Sequence, residues 1–126
     1  MEPRVSSREN RSTDEKENIV VKLTALYRKP PNAVEFDRYY ESVHLPLALK
    51  LPGLRKLHLS KVQPGVVGES PYHFIADLYF DDMDTLKQAL SSPEGKAAGK
   101  DVSNFAKDII EMLVAEVEEK SLSMGS

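Results

Sequence analysis

The sequence predicts an α+β domain, an antiparallel sheet carrying helices on one face. Three observations lead there. Residues 72–80 alternate as a half-buried strand does, with Phe74, Ala76, Leu78 and Phe80 on one side and His73, Ile75, Asp77 and Tyr79 on the other. Phe36, Tyr40, Val43, Leu47 and Leu51 recur at steps of four and three, the spacing of one apolar helical stripe. Pro30-Pro31, Pro52-Gly53, Pro64-Gly65 and Ser92-Pro93 punctuate the segments between.

Taken in order, residues 19–27 (Ile-Val-Val-Lys-Leu-Thr-Ala-Leu-Tyr) are rich in β-branched side chains and read as the first strand. Asn32, with Glu35 three places on, forms a capping box for the first helix. Pro46 falls inside that helix. It removes a backbone donor and crowds the preceding turn, so a kink or restart is expected near His44 and Leu45. Residues 54–63 alternate Leu57 and Leu59 against His58 and Ser60 as a second strand, and residues 72–80 form the third. Asp82 or Asp84 caps a helical segment reaching Leu90. Ser92-Pro93-Glu94 then opens another, with cap, first-position proline and early acid in order. The final segment stays open between helix and strand. Ile109, Ile110, Leu113 and Val117 suit a helix, yet Leu113, Ala115 and Val117 also alternate. A strand there completes a ferredoxin-like βαββαβ sheet.

The domain is placed at residues 19–119. Residues 1–18 hold too few apolar side chains to offset the entropy of ordering and are expected to be disordered, and residues 120–126 to fray. With 126 residues there is room for one domain that buries roughly two-thirds of its unfolded surface. Lys and Arg total 17 against 20 Asp and Glu, a net charge of −3 that argues against nucleic-acid or anionic-membrane partners. No cysteine is present, which excludes thiolate nucleophiles and cysteine zinc sites. No apolar run reaches the ~18 residues of a membrane span, and a cytoplasmic location is expected.

With Val21, Leu23, Ala25, Phe74, Ala76, Leu78, Phe80, Leu57 and Leu59 turned to the helices, the opposite face carries Lys22, Thr24, Leu26, His58, Ser60, Val62, His73, Ile75, Asp77 and Tyr79. That mixture suits a two-fold partner better than open water, so a homodimer is expected.

Lys22-Leu23 with Tyr27-Arg28-Lys29-Pro30, then Phe36-Asp37-Arg38-Tyr39-Tyr40, His44-Leu45-Pro46-Leu47, Leu51-Pro52-Gly53-Leu54 and Ser92-Pro93-Glu94-Gly95 give a string that resembles the EthD family. The aromatic pair followed by His-x-Pro and Pro-Gly is its most telling part. The resemblance implies a dimeric α/β-barrel of two ferredoxin-like sheets packed face to face, and hence a final strand. The family is named for a protein linked to cytochrome P450-dependent ether degradation. Other families with this barrel include cofactor-free polyketide cyclases, muconolactone isomerases, monooxygenases and haem-dependent enzymes, so the fold by itself assigns no chemistry.

Among single residues, His44 sits where Pro46 disturbs the helix. There it can brace freed carbonyls, or serve as acid or base beside Tyr40, one turn earlier. The Tyr40 hydroxyl can be a satisfied core group or can polarise a substrate carbonyl. A pocket between helices and sheet is expected to be lined by Phe36, Leu47, Phe74 and Leu78. His58, His73, Asp77 and Lys22 form a second constellation on the opposite face. A hairpin centred near Gly65 and Val66 sets the two histidines opposite each other, as a His-Asp base or as interface ion pairs. Three histidines fourteen and fifteen residues apart lack zinc-binding spacing, and no phosphate loop or axial haem site is visible.

The resulting expectation is a small cofactor-independent enzyme acting on a hydrophobic carbonyl-containing metabolite by cyclisation, isomerisation or decarboxylation, with His44 and Tyr40 catalytic. The alternative is a non-catalytic dimeric module that binds a small hydrophobic ligand as accessory to an oxidase.

Overall fold

The computed structural model describes residues 19–122. The expectations for residues 1–18 and 123–126 lie outside that range, and residues 120–122 carry neither helix nor strand. Strand β1 (Ile19–Arg28) leads into helix α1 (Ala33–Tyr39), a π-helical turn (Tyr40–His44) and the short helix α2 (Leu45–Ala48). Strands β2 (Lys56–Lys61) and β3 (Tyr72–Phe80) follow, then helices α3 (Met83–Ser91) and α4 (Pro93–Phe105) and strand β4 (Ile110–Glu118). The sheet order is β2-β3-β1-β4, antiparallel throughout, with helices on one face: a ferredoxin-like α+β fold. Strand β4 closes the question that periodicity left open, and it pairs with β1 from Ile19 opposite Glu118 to Tyr27 opposite Ile110.

The caps follow sequence. The Asn32 side chain accepts from the Glu35 amide at 3.1 Å, Asp82 from Thr85 at 2.8 Å and Ser92 from Gly95 at 3.0 Å. Gly53 turns the chain after α2 with φ +81, a conformation costly to any residue with a Cβ.

Two local irregularities redirect side chains. The first is the π turn. Leu45 N–H reaches back to the Tyr40 carbonyl, while Pro46 has no N–H to offer Ser42. The wider turn absorbs one extra residue, so the buried stripe runs Phe36, Tyr40, His44, Ala48 and Leu51. Val43 and Leu47, expected on it, are rotated aside; Val43 is 39% exposed and Leu47 half-buried, whereas Ala48 is 3% exposed.

The second is a bulge where Tyr27 and Arg28 of β1 meet Phe74 and Tyr72 of β3, with His73 as the extra residue. The bulge breaks the alternation, and His73 turns to helix α1, its Nε2 2.8 Å from Asp37 Oδ1 and its ring against Phe36. Its expected place on the open face is therefore corrected. The hairpin register is corrected as well: His58 stands opposite Asp77, and Val62 N–H bonds the His73 carbonyl.

The core lies between sheet and helices. Tyr27, Phe36, Tyr40, Phe74 and Phe105 form an aromatic cluster at one end, and Phe80, Leu86 and Ala89 are buried in the same core. Ala25 and Ala76 pair across β1 and β3. Small residues also face inward from the helices, at Ala48, Gly95 and Ala98. Small side chains on both layers leave a space that close packing does not fill.

Candidate functional site

The space is a cavity of about 150 Å³. Leu23, Ala25, Ala76 and Leu78 of the sheet form its floor, Ala48, Leu51, Gly95, Ala98 and Val102 line its helical side, and Tyr27, Tyr40 and His44 bring the polar atoms. Larger concavities of about 530 and 710 Å³ occur on the surface, lined by residues such as Pro30, Arg38 and Asn104, or Arg55, Asp81 and Glu119. The first is mixed, with Phe36, Tyr39 and Phe105 beside Glu35 and Arg38, and the second is mostly polar. The smaller cavity is mainly apolar and adjoins a buried titratable pair, the combination that small-molecule sites favour.

His44 reaches this cavity because the π turn rotates it inward. Its Nδ1 lies 3.0 Å from Asp101 Oδ2, and both residues are 6% exposed. Asp101 comes from α4, on the inward stripe that Gly95 and Ala98 begin. Tyr39 donates its hydroxyl to Asp101 Oδ1 at 2.6 Å and Asn104 Nδ2 approaches the same oxygen at 3.4 Å. Burial opposes ionisation of Asp101 and is the largest single influence on it. The hydrogen bonds from Tyr39, His44 and Asn104, with attraction to the His44 charge, together outweigh burial and hold its carboxyl below the ordinary aspartate value.

An ionised Asp101 only accepts, so the proton between the pair resides on His44 Nδ1. In the neutral ring Nε2 then keeps its lone pair, and among the described residues it has no partner.

The two phenols differ from Tyr39. Tyr40 is 3% exposed and Tyr27 1%, and among the described residues neither hydroxyl has a hydrogen-bond partner. Burial pushes both far above the usual tyrosine range, helped at Tyr40 by Glu41 and at Tyr27 by Tyr40 and Asp101. Both therefore stay protonated as donors at neutral pH.

Of the residues expected to line a pocket, Leu78 lines this cavity and Phe36 lines the surface concavity of about 530 Å³ instead. Phe36 and Phe74 lie behind the cavity, their rings 5.2 and 6.0 Å from Tyr27 and 6.3 and 4.8 Å from Tyr40. Leu47 lies off the cavity wall. The second constellation assembles in part: Lys22 pairs with Asp77, which stands opposite His58, but no His-Asp pair forms within it. Asp77 is engaged by Thr24 Oγ1 and by Lys22 Nζ at 3.3 Å, His58 packs edge-on against Tyr79 at 5.0 Å, and His73 has left for Asp37. Among the described residues, no three His, Asp or Glu side chains converge as metal ligands, and no helix is long and apolar enough to cross a membrane.

The sequence reading missed Asp101 and Tyr27. A carboxylate three residues beyond Ala98 on an otherwise inward helical stripe was the available signal for the first. Tyr27 reads as the last apolar residue of a strand and gives none.

The geometry defines a ferredoxin-like α+β domain with a helix–sheet cavity whose wall includes His44, paired behind it with Asp101. The chain belongs to the EthD family, whose domain pattern matches residues 32–109. It is 34% identical over 98 residues, 77% of this chain and 94% of the other, to an uncharacterised 11.0 kDa protein of the thcB-thcC intergenic region of Rhodococcus erythropolis. Among solved structures, an EthD family protein from Bacillus halodurans superposes with a TM-score of 0.74 at 38% identity, over 80% of this chain and 99% of that one. The fold is also shared with the hydroxynitrile lyase of Passiflora edulis (TM-score 0.65, 12% identity, 84% and 99% covered). A dimeric ferredoxin-like protein of unknown function from Thermobifida fusca shares it too (0.59, 14%, 82% and 93%).

Proposed function

We propose that the chain is a small enzyme that moves a proton on a hydrophobic carbonyl compound without a cofactor. The carrying observation is the His44 Nδ1–Asp101 Oδ2 contact at 3.0 Å, with His44 in the wall of a mainly apolar cavity. Asp101 fixes the tautomer, and Nε2 of His44 takes a proton from the carbon next to the carbonyl. The bonding pair moves toward the carbonyl oxygen, and Tyr40 donates a hydrogen bond to the charge that grows there. The same protonated His44 can return its proton to a different atom, which is isomerisation, or the carbanion can attack a second carbonyl within the molecule, which is cyclisation. In decarboxylation the breaking C–CO2 bond supplies the electron pair in place of C–H, carbon dioxide leaves, and the resulting enolate takes a proton at carbon from protonated His44. Apolar walls exclude water and strengthen each of these interactions. A lyase on the same fold supports the reading as an analogy of scaffold only.

The open sheet face supports a homodimer. Leu26, Ile75 and Val117 are half-buried there, and Leu113 is 48% exposed. A second copy would cover them, as the dimeric description of the Thermobifida protein suggests by analogy. Sedimentation at micromolar concentration should give a dimer that Leu113→Arg dissociates.

The catalytic reading is tested by deuterium exchange in heavy water over a panel of small ketones and aldehydes, followed by NMR. The protein should accelerate exchange at the α-carbon of at least one, and His44→Gln should lose on the order of a hundredfold or more. Exchange never above buffer, with ligands still bound, would favour the non-catalytic binding module.

A further inference from the structure

The cavity's size and the placing of its polar atoms narrow the substrate class. A mainly apolar cavity of about 150 Å³, open on one side, holds a molecule about the size of benzene. Tyr27 and Tyr40 both line it, their rings 5.8 Å apart, and both hydroxyls lack partners among the described residues. Two buried donors without acceptors are costly unless a ligand supplies the acceptor.

The lining residues that are exposed are Leu90, Gly99 and Met112, which places the mouth between the end of α3, α4 and the β4 edge. Gly99 is the unusual member. Glycine inside a helix weakens it relative to alanine, yet a Cβ at Gly99 would meet nothing within 4 Å and its φ is not positive. Neither backbone conformation nor close packing requires glycine there. The space above it is open.

We propose that the cavity takes a substrate of one six-membered ring, or a branched chain of equal bulk, whose reacting carbonyl or enol oxygen is held jointly by the Tyr27 and Tyr40 hydroxyls and which enters past Gly99. Tyr27 thereby becomes a second donor to the reacting oxygen. This rests on the reading of the cavity as the substrate site, and it concerns binding rather than turnover.

The test is calorimetric titration of the whole chain with phenol and 2-naphthol, planar mimics of an enol. Burying four further ring carbons would tighten binding by roughly a hundredfold. The expected result is that 2-naphthol gains less than tenfold over phenol; a tenfold gain or more overturns the one-ring limit. Tyr27→Phe should weaken phenol about fivefold, and a loss below twofold overturns the joint hold. Gly99→Leu should slow phenol association at least tenfold in stopped-flow mixing, with Gly99→Val as the second variant if leucine compromises folding. Association as fast in the folded variant as in the parent overturns the entrance. If these outcomes hold but deuterium exchange is absent, the catalytic reading fails while the ligand class stands.

Discussion

Asp101 Oδ2 lies 3.0 Å from His44 Nδ1 although 57 residues separate the two along the chain. The contact joins the π turn to helix α4, and it is buried, so neither partner can trade it for water. Asp101→Asn keeps the size of the side chain but leaves one acceptor oxygen and one NH2 group where Tyr39 and His44 each have an oxygen of their own. It should lower stability by about 1–3 kcal/mol in urea titration. It should also depress exchange at the substrate carbon while barely changing ligand affinity, because the imidazole loses the acceptor that sets its tautomer. A variant with parental exchange would make the carboxylate a structural tie alone.

The same carboxylate should shape the acid limb of stability. Its pKa is held below the ordinary 3.8 in the folded protein. The folded state therefore binds that proton less readily than the unfolded state does. The stabilisation is complete above the unfolded value and is lost as pH falls from there through the lower folded value. Thermal melting between pH 6 and pH 2 should fall less steeply for Asp101→Asn than for the parent. Asp82 and Glu111 are also held low, by Thr85 and by Tyr72 with Arg28, and both remain in the variant. The difference between the two curves thus isolates Asp101, and parallel curves would contradict its assigned ionisation.

The π turn makes a prediction that an ordinary helix reverses. Ala48 is buried beside the cavity, whereas Leu47 is half-buried and off it. Ala48→Met should cost about 1–3 kcal/mol by overpacking unless the side chain enters the cavity, in which case phenol binding is lost. Leu47→Ala should cost about 1 kcal/mol or less, far below the 2–5 kcal/mol of a buried leucine. If Leu47→Ala is the more damaging change on both readouts, the stripe follows Val43 and Leu47 after all.

Much of this architecture is legible from residues alone, because periodicity and caps act locally. The alternation of Phe74 to Phe80 and the caps at Asn32, Asp82 and Ser92 all reappear in the fold. What escapes are one-residue offsets, since a single inserted residue rotates everything after it. Pro46 announces a disturbance but not that it takes the form of an extra residue, so His44 arrives inward for a reason periodicity does not supply. The bulge at Tyr27 and Arg28 similarly moves His73 to the other layer. Asp101 escapes because its meaning depends on a partner 57 positions away. Strand β4 is an edge strand with Met112, Leu113 and Val114 all exposed, so no buried face imposes an alternation that could separate it from a helix.

Two glycines four residues apart on α4 should respond in opposite directions to the same substitution. A Cβ at Gly95 would stand 2.1 Å from the Ala89 carbonyl oxygen and 2.7 Å from that of Leu90. Both are backbone atoms at the corner between α3 and α4, and neither can swing aside as a flexible side chain would. Gly95→Ala must push the two helices apart, at about 1–3 kcal/mol. Gly99→Ala meets nothing within 4 Å and removes the entropic cost of a helical glycine, so it should gain up to about 1 kcal/mol. Urea unfolding of the pair measures both against the parent. Equal effects at the two positions would mean that the α3–α4 corner is not the close backbone approach described, or that the space above Gly99 is not open.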